Sequence, residues 1–193
     1  VVHRDLKPDN LMVEATRDGG DFVKVLDFGI AQSKAPGSQV GPLTQAGALV
    51  GTPQYMSPEQ AEGKSVDHRS DLFSMGVILY EMLTRKKPFK GKHIPQILMA
   101  VIQANPPSPS AIASELEIDP KLEAICLRAL KKDPDLRYQS ATEFREAIQV
   151  VLDGGEPAKP AAPPAQFIFK RSKRSKPKEP TGQDDLSTVA GIE

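Results

Sequence analysis

The chain has 193 residues, and its 25 basic and 25 acidic side chains give a formal net charge of zero at pH 7. This balance argues against a basic nucleic-acid-binding protein, so we expect no nucleic-acid partner. Hydrophobic residues make up 39% of the sequence, which together with 14 glycines is typical of a globular protein with a buried core.

Cysteine use and hydropathy indicate the compartment. The single cysteine, Cys126, excludes an internal disulfide framework and is typical of a reducing environment. No run of residues approaches the roughly 18 apolar residues that a membrane span needs, and no secretory leader is visible. Because the chain begins at Val1, inside a motif, we interpret its start as truncated. We expect a cytoplasmic protein, or one at the cytoplasmic face of a membrane when full length.

A β-hairpin is the first predicted element. Leu11 and Val13, and then Val23 and Val25, alternate with other residues as strand residues do. The segment 17–21 between them contains Asp-Gly and Gly-Gly pairs, which favour a tight turn.

A long helix is predicted next. Ser70 and Asp71 are suited to cap it, and it continues to Leu83. Its residues are apolar nearly all round, which predicts a helix buried on all sides.

Three further helices complete the pattern. One begins near Pro95, and one begins at Asp119-Pro120, where proline suits the first helical turn. The last begins at Ser140, and Glu143 three residues later predicts a capping box. The fold is therefore predicted to be mainly α.

The composition changes after residue 152. Six prolines lie between Asp153 and Pro180, and they favour extended linker conformations. A basic run lies near the end of this stretch: Lys170, Arg171, Lys173, Arg174, Lys176 and Lys178. We predict a folded domain at 1–152 and a disordered Pro-rich and basic tail at 153–193. The basic run is interpreted as a solvated linker, and the alternatives are a juxtamembrane anchor and electrostatic binding to nucleic acid or anionic lipid.

The segment His3–Asn10 places a carboxylate, a cation and an amide close together. Asp5 is suited to accept a proton from an attacking hydroxyl. Lys7 is suited to neutralise charge on a transferring phosphoryl group, and Asn10 offers an amide oxygen to a hard cation. The alternative is a polar loop that contains a few salt bridges.

The triplet Asp27-Phe28-Gly29 follows the second predicted strand. A carboxylate at the end of a strand is well placed to hold Mg²⁺, and the glycine lets the chain turn away. The triplet alone is a weak signal, but it gains weight from the polar segment His3–Asn10 that precedes it.

Together these two segments resemble the catalytic loop and the magnesium-binding triplet of eukaryotic-type serine/threonine protein kinases, most like the bacterial ones. The resemblance extends to Gly51–Glu59, which is similar to the substrate-proximal loop and its closing motif, and to Asp71 and Arg137. It implies the helical C-terminal lobe of a protein kinase at 1–152, with short β-hairpins at the catalytic loop and without the N-terminal lobe.

The resemblance implies a role for each matching residue. Asp5 is the catalytic base, Lys7 contacts the γ-phosphate of ATP, and Asn10 and Asp27 hold Mg²⁺. The Thr52 hydroxyl of the substrate loop is expected to bridge Asp5 and Lys7. The implied reaction is transfer of the γ-phosphate of Mg-ATP to Ser/Thr hydroxyls of protein substrates in signalling.

The same resemblance implies regulatory and structural residues. A buried Arg4 beside the catalytic base suggests control by phosphorylation, with Thr44 as the candidate phosphosite. Asp71 is expected to brace the backbone of the catalytic loop. Glu59 and Arg137 are expected to form a buried ion pair.

The sequence contains no Gly-x-Gly-x-x-Gly segment, and it lacks the strand lysine that in the family holds the α- and β-phosphates of ATP, together with that lysine's glutamate partner. We therefore expect the chain alone to bind ATP weakly, to be inactive without an N-terminal lobe, and to associate through exposed apolar surface. Two alternatives remain: a non-catalytic lobe that docks substrates or partners, and a membrane-surface adaptor that acts through the basic tail.

Overall fold

A computed structural model of the chain describes residues 1–27 and 52–158, all within one structural unit, Val1–Ala161. The predictions for Phe28-Gly29, for Thr44 and for the tail beyond residue 158 lie outside the described residues.

The predicted hairpin is confirmed. Strand β1 is Leu11–Ala15 and strand β2 is Asp21–Val25, and they pair antiparallel with Leu11 opposite Val25. The turn closes through a hydrogen bond from the Thr16 amide to the Gly20 carbonyl, and Gly19 adopts φ 83°. This left-handed backbone is one that glycine adopts without steric cost.

The four predicted helices are present, and two short helices that were not predicted accompany them. In chain order the helices are α1 Pro58–Ala61, α2 His68–Thr84, α3 Ile94–Gln103, α4 Pro109–Ile112, α5 Pro120–Ala129 and α6 Ala141–Leu152. The predicted ones are α2, α3, α5 and α6. Short 3-10 helices lie at Pro8–Asn10, Pro53–Tyr55 and Pro134–Leu136. None of the helices in the described ranges is long and apolar enough to cross a membrane.

The start of α2 was predicted three residues too late. The helix begins at His68, and the Asp67 carboxylate caps it by accepting a hydrogen bond from the Arg69 amide. Ser70 and Asp71 therefore lie inside the first turn, where their side chains bond to other segments instead of to the helix end.

Helix α2 forms the centre of the core. Phe73, Val77 and Tyr80 are completely buried, whereas Met82 is 74% exposed, so the prediction of burial on all sides was wrong near the C-terminal end. Gly76 lies against α5, because a Cβ added there would stand 2.8 Å from the Cβ of Ala129. The absence of a side chain at Gly76 is what lets the two helices approach this closely.

The caps of the later helices follow the sequence, with one exception. Asp119 caps α5, and the Ser140 hydroxyl caps α6 by accepting from the Glu143 amide. The predicted capping box at α6 is incomplete, because the Glu143 carboxylate bonds to the Gln139 amide and to Arg128 instead of to the Ser140 amide. Only half of the reciprocal pair is formed.

Candidate active site

Three of the predicted site residues meet at one point in the loop that precedes β1. The Asn10 amide nitrogen donates to the backbone carbonyl of Asp5 at 2.7 Å and lies 3.4 Å from its Oδ2. The Lys7 Nζ lies 3.4 Å from the same carboxylate oxygen, and the Asp5 side chain remains 28% exposed. The arrangement presents a solvent-accessible carboxylate with a cation and an amide at its side.

Asp71 of α2 holds the backbone of this loop. Its two carboxylate oxygens accept hydrogen bonds from the amides of His3 at 2.8 Å and Arg4 at 2.9 Å. Arg4 has φ 69°, a left-handed conformation that is uncommon for a residue with a side chain. Two hydrogen bonds to an ionised acceptor stabilise this conformation and fix the position of Asp5, the next residue.

His3, which was not among the predicted site residues, is a buried histidine that links two segments of the site. Its Nε2 lies 2.9 Å from the carbonyl oxygen of Leu26, and its Nδ1 accepts from the Asp5 amide at 3.3 Å. A carbonyl only accepts, so Nε2 carries the proton and Nδ1 is the acceptor. The histidine thereby ties the backbone of Asp5 to the end of β2.

Asn10 and Asp27 supply oxygen donors that suit Mg²⁺. The Asn10 amide nitrogen is committed to Asp5, which leaves its amide oxygen for a cation. The Leu26 amide donates to the Asn10 carbonyl at 2.8 Å, and the next residue, Asp27, is exposed with φ 53°. Amide and carboxylate oxygens are ligands of hard cations. Among the described residues, no cluster of three or more His, Cys, Asp or Glu is arranged to hold a metal ion.

The predicted role of Thr52 is not tested by the structure, and the expected burial of Arg4 was wrong. Among residues 1–27 and 52–158, no hydrogen bond joins the Thr52 hydroxyl to Asp5 or Lys7, so its bridging role stays a prediction. Arg4 is exposed, not buried as expected. The loop is anchored by the Arg4 backbone, whose carbonyl accepts from Gln60 at 2.7 Å, and the guanidinium is not drawn into the core.

Glu59 and Arg137 form a bidentate ion pair. Nη1 and Nη2 of Arg137 each lie 2.8 Å from one carboxylate oxygen of Glu59, and the arginine side chain is fully buried. Ser70 also donates to Glu59. Burial raises the pKa of Glu59, but the hydrogen bonds from Arg137 and Ser70 outweigh it, so the pKa is lowered overall.

A second cluster, which the sequence did not predict, lies at the 3-10 helix Pro53–Tyr55. The Tyr55 hydroxyl donates to the carboxylate of Glu81 at 2.5 Å, and the Lys87 ammonium lies 4.8 Å from the centre of the Tyr55 ring. Burial, and then the bond to Glu81, raises the pKa of Tyr55. The three residues come from separate segments, so their spacing in the sequence carries no signal.

Comparisons with known proteins agree with this geometry. The model of the protein kinase domain matches residues 1–149. The chain is 46% identical over 151 residues to the serine/threonine-protein kinase Pkn3 of Myxococcus xanthus, an alignment that covers 78% of the chain and 28% of the relative. It is 49% identical over 154 residues to a probable serine/threonine-protein kinase of Streptomyces coelicolor, with coverage of 80% and 22%.

A third relative is the serine/threonine-protein kinase PknB of Mycobacterium tuberculosis. It is 44% identical over 160 residues, which cover 83% of the chain and 24% of the relative. The chain thus spans about a quarter of the length of the curated relatives that it matches.

Proposed function

The chain belongs to the protein kinase family and is of the bacterial-like serine/threonine type, and on that premise we propose that its full-length protein transfers the γ-phosphate of ATP to Ser/Thr hydroxyls of proteins in signalling. The observation that carries this proposal is the convergence of Lys7 and Asn10 on the carboxylate of Asp5.

Each residue of this convergence has a defined task in the proposed reaction. The exposed oxygen of Asp5 orients the substrate hydroxyl and accepts its proton. The Lys7 ammonium is near enough to Asp5 to stabilise negative charge that develops on the transferring phosphoryl group. Asn10 holds the Asp5 backbone, so the base is positioned before the substrate arrives.

Asn10 and Asp27 are the residues that would hold magnesium. When bound, the metal neutralises charge on the phosphate oxygens of ATP. The chain would contribute both ligands: Asn10 directly before β1 and Asp27 just after β2, where the Leu26 amide bonds to the Asn10 carbonyl.

We further propose that the chain is the helical C-terminal lobe and that the residues which clamp ATP lie in another part of the protein. The sequence contains no Gly-x-Gly-x-x-Gly segment. The hairpin also exposes apolar side chains that a second lobe is suited to cover, with Val13, Val23 and Val25 on one face and Met12 and Phe22 on the other. Without that lobe we expect weak ATP binding and negligible turnover.

ATP binding tests the lobe assignment. The full-length protein is expected to bind ATP saturably in the presence of Mg²⁺ and to transfer its γ-phosphate to a general protein substrate. The 193-residue chain alone is expected to do neither at sub-millimolar ATP. Saturable micromolar binding by the chain alone would contradict the assignment.

A non-catalytic docking lobe is the second candidate, and the exposed apolar hairpin favours it. The two candidates differ in whether the full-length protein transfers phosphate from ATP. If the full-length protein binds partners through the hairpin and transfers no phosphate to itself or to a substrate, docking is the better description.

Regulation by phosphorylation is a separate proposal. Thr44, outside the described residues, is the candidate phosphosite, and the exposed Arg4 is the cation that its phosphate would pair with. Full-length protein with Thr44→Ala is expected to lose one phosphopeptide and part of its activity. Unchanged activity and an unchanged phosphopeptide map would exclude this site.

A further inference from the structure

Besides the basic run in the tail, positive charge is also concentrated in one loop of the described residues. No Asp or Glu occurs between Glu81 and Glu115, and five cations lie within the segment Arg85–His93 that joins α2 to α3: Arg85, Lys86, Lys87, Lys90 and Lys92. We call this segment the basic loop. No acidic residue within the basic loop or directly beside it in the sequence neutralises its positive charge.

Two of the five cations have partners in the fold. Lys86 donates to the Ile112 carbonyl and lies 3.7 Å from Glu115, and Lys87 contacts Gln54 and the Tyr55 ring. The other three are exposed, and their side chains form no hydrogen bond or ion pair with any residue in the described ranges: Arg85, Lys90 and Lys92. These three remain available to a partner.

The basic loop is held rigidly in spite of its exposed charges. Phe89 at its centre is 2% exposed and stacks on Phe73 with ring centroids 5.9 Å apart. The Lys92 amide donates to the Gln96 side chain at 2.8 Å, and Gly91 packs so closely on α3 that a Cβ there would overlap Gln96. A loop fixed in this way loses little conformational freedom on binding.

Arg85 occupies a position that usually belongs to glycine. It follows α2 with φ 55°, the left-handed conformation that commonly ends a helix. A side chain at such a position carries a steric cost that glycine avoids. A contact between the Arg85 charge and a binding partner would offset this steric cost.

The basic loop also contacts the segment next to the proposed active site. Lys87 donates to the Gln54 side chain at 3.3 Å, and Gln54 and Tyr55 belong to the 3-10 helix that follows Thr52. A protein substrate whose hydroxyl reaches Asp5 must approach the substrate-proximal segment. Its flanking residues would then come within reach of the basic loop.

We propose that Arg85, Lys90 and Lys92 bind acidic side chains of the protein substrate, so that the enzyme prefers serines and threonines with acidic neighbours. This proposal rests on the proposed kinase function and names its substrate class. The cations are distributed along eight residues, which suits several carboxylates of a peptide better than one phosphate group.

The test compares two serine peptides that differ only in having glutamate or glutamine on both sides of the serine. With full-length enzyme, kcat/KM is expected to be higher for the glutamate peptide, through a lower KM. Lys90→Gln/Lys92→Gln is expected to reduce this preference about two- to five-fold for each cation removed. The preference is also expected to fall as salt screens the charges.

Two further variants separate binding from folding and from net charge. Arg85→Gly removes a cation and suits the left-handed backbone, so the preference is expected to fall while stability is maintained or raised. Lys64→Gln/Arg145→Gln removes two exposed cations outside the basic loop and is expected to keep the preference. Equal preference in the wild type and Lys90→Gln/Lys92→Gln, or an equal loss in the control, would overturn the proposal.

Failure of the kinase function can be told apart from failure of this inference. If the wild-type enzyme phosphorylates neither peptide, the proposed function fails. Fluorescence anisotropy with the labelled glutamate peptide then decides the inference, because binding that Lys90→Gln/Lys92→Gln weakens still supports it. If vesicles of anionic lipid bind through the loop cations and the peptide does not, the peptide proposal is wrong.

Discussion

Glu59 and Arg137, 78 residues apart in the sequence, are joined by two hydrogen bonds of 2.8 Å in the interior of the protein. The guanidinium also donates to the carbonyls of Arg69, Lys131 and Lys132, so that one side chain connects α1, the start of α2 and the segment after α5. Burial of both charges makes the loss of one partner more costly than the loss of both.

Glu59→Ala is therefore expected to lower the free energy of unfolding by about 3–5 kcal/mol, because it leaves the Arg137 charge buried without its carboxylate. Urea denaturation measures the change. Glu14→Ala is the control: it breaks the exposed Glu14–Lys24 pair and is expected to cost less than about 1 kcal/mol. Additive effects of Glu59→Met and Arg137→Met in the double variant would contradict the coupling.

Asp71→Asn is expected to release the backbone of the proposed catalytic loop. An asparagine has one acceptor oxygen, so one of the two bonds to the His3 and Arg4 amides is lost. We expect kcat of the full-length enzyme to fall about 10- to 100-fold and both amides to exchange hydrogen faster. Asp67→Asn, in the same helix, keeps a good cap and is expected to retain activity. Equal losses in both variants would contradict a specific role for Asp71.

Gly76→Ala tests the close approach of α2 and α5. Helix propensity alone predicts a gain of about 1 kcal/mol for this change. The new Cβ would instead meet the Ala129 Cβ at 2.8 Å, so we expect a loss of about 1–3 kcal/mol in the free energy of unfolding. Adding Ala129→Gly is expected to recover part of it. A single variant at least as stable as the wild type would show that the helices separate easily.

The pH dependence of stability is expected to carry a contribution from Lys132. Its ammonium lies 4.0 Å from the ring centre of Phe89 and donates to the Val101 carbonyl. Burial, and then the charge of Arg137, lowers the pKa of Lys132 to about 8. An unfolded lysine titrates near about 10.4, so between these values the folded state binds fewer protons and stability rises with pH.

Comparison with Lys132→Met isolates this contribution. The free energy of unfolding of the wild type minus that of the variant is expected to increase from about pH 8 to about pH 10.4 and to be flat below pH 8. Lys131→Met, at the exposed neighbouring position, is expected to show no such increase. A constant difference between wild type and Lys132→Met across this window would contradict the assignment.

The sequence predicted local structure better than contacts between distant segments. The hairpin at 11–25, the caps Asp119 and Ser140 and the proline at the start of α3 are determined within a few residues, and all are present. The cap of α2 was misplaced because Ser70 and Asp67 are equally good capping residues by type. Only the folded structure shows that the Ser70 hydroxyl donates to the Glu59 carboxylate.

In the proposed active site, too, contacts within one segment were predicted and contacts between distant segments were not. Asp5, Lys7 and Asn10 lie in one short segment, and their meeting follows from the local chain path. The bonds of His3 to Leu26 and of Tyr55 to Glu81 link residues that are far apart in sequence, and no periodic pattern marks them. Arg4 is likewise held by its backbone carbonyl, which accepts from Gln60, and its guanidinium stays exposed; the residue type alone does not reveal this.

Phosphate transfer by full-length protein with Asp5→Asn tests whether Asp5 is the catalytic base. Transfer from labelled ATP to a protein substrate is expected to fall by a factor of about 10² to 10⁴, because the amide cannot accept the hydroxyl proton. Asp9→Asn, four residues further on at an exposed position, is expected to remain active. If Asp5→Asn and Asp9→Asn transfer phosphate as fast as the wild type, Asp5 is not the base and the proposed mechanism is wrong.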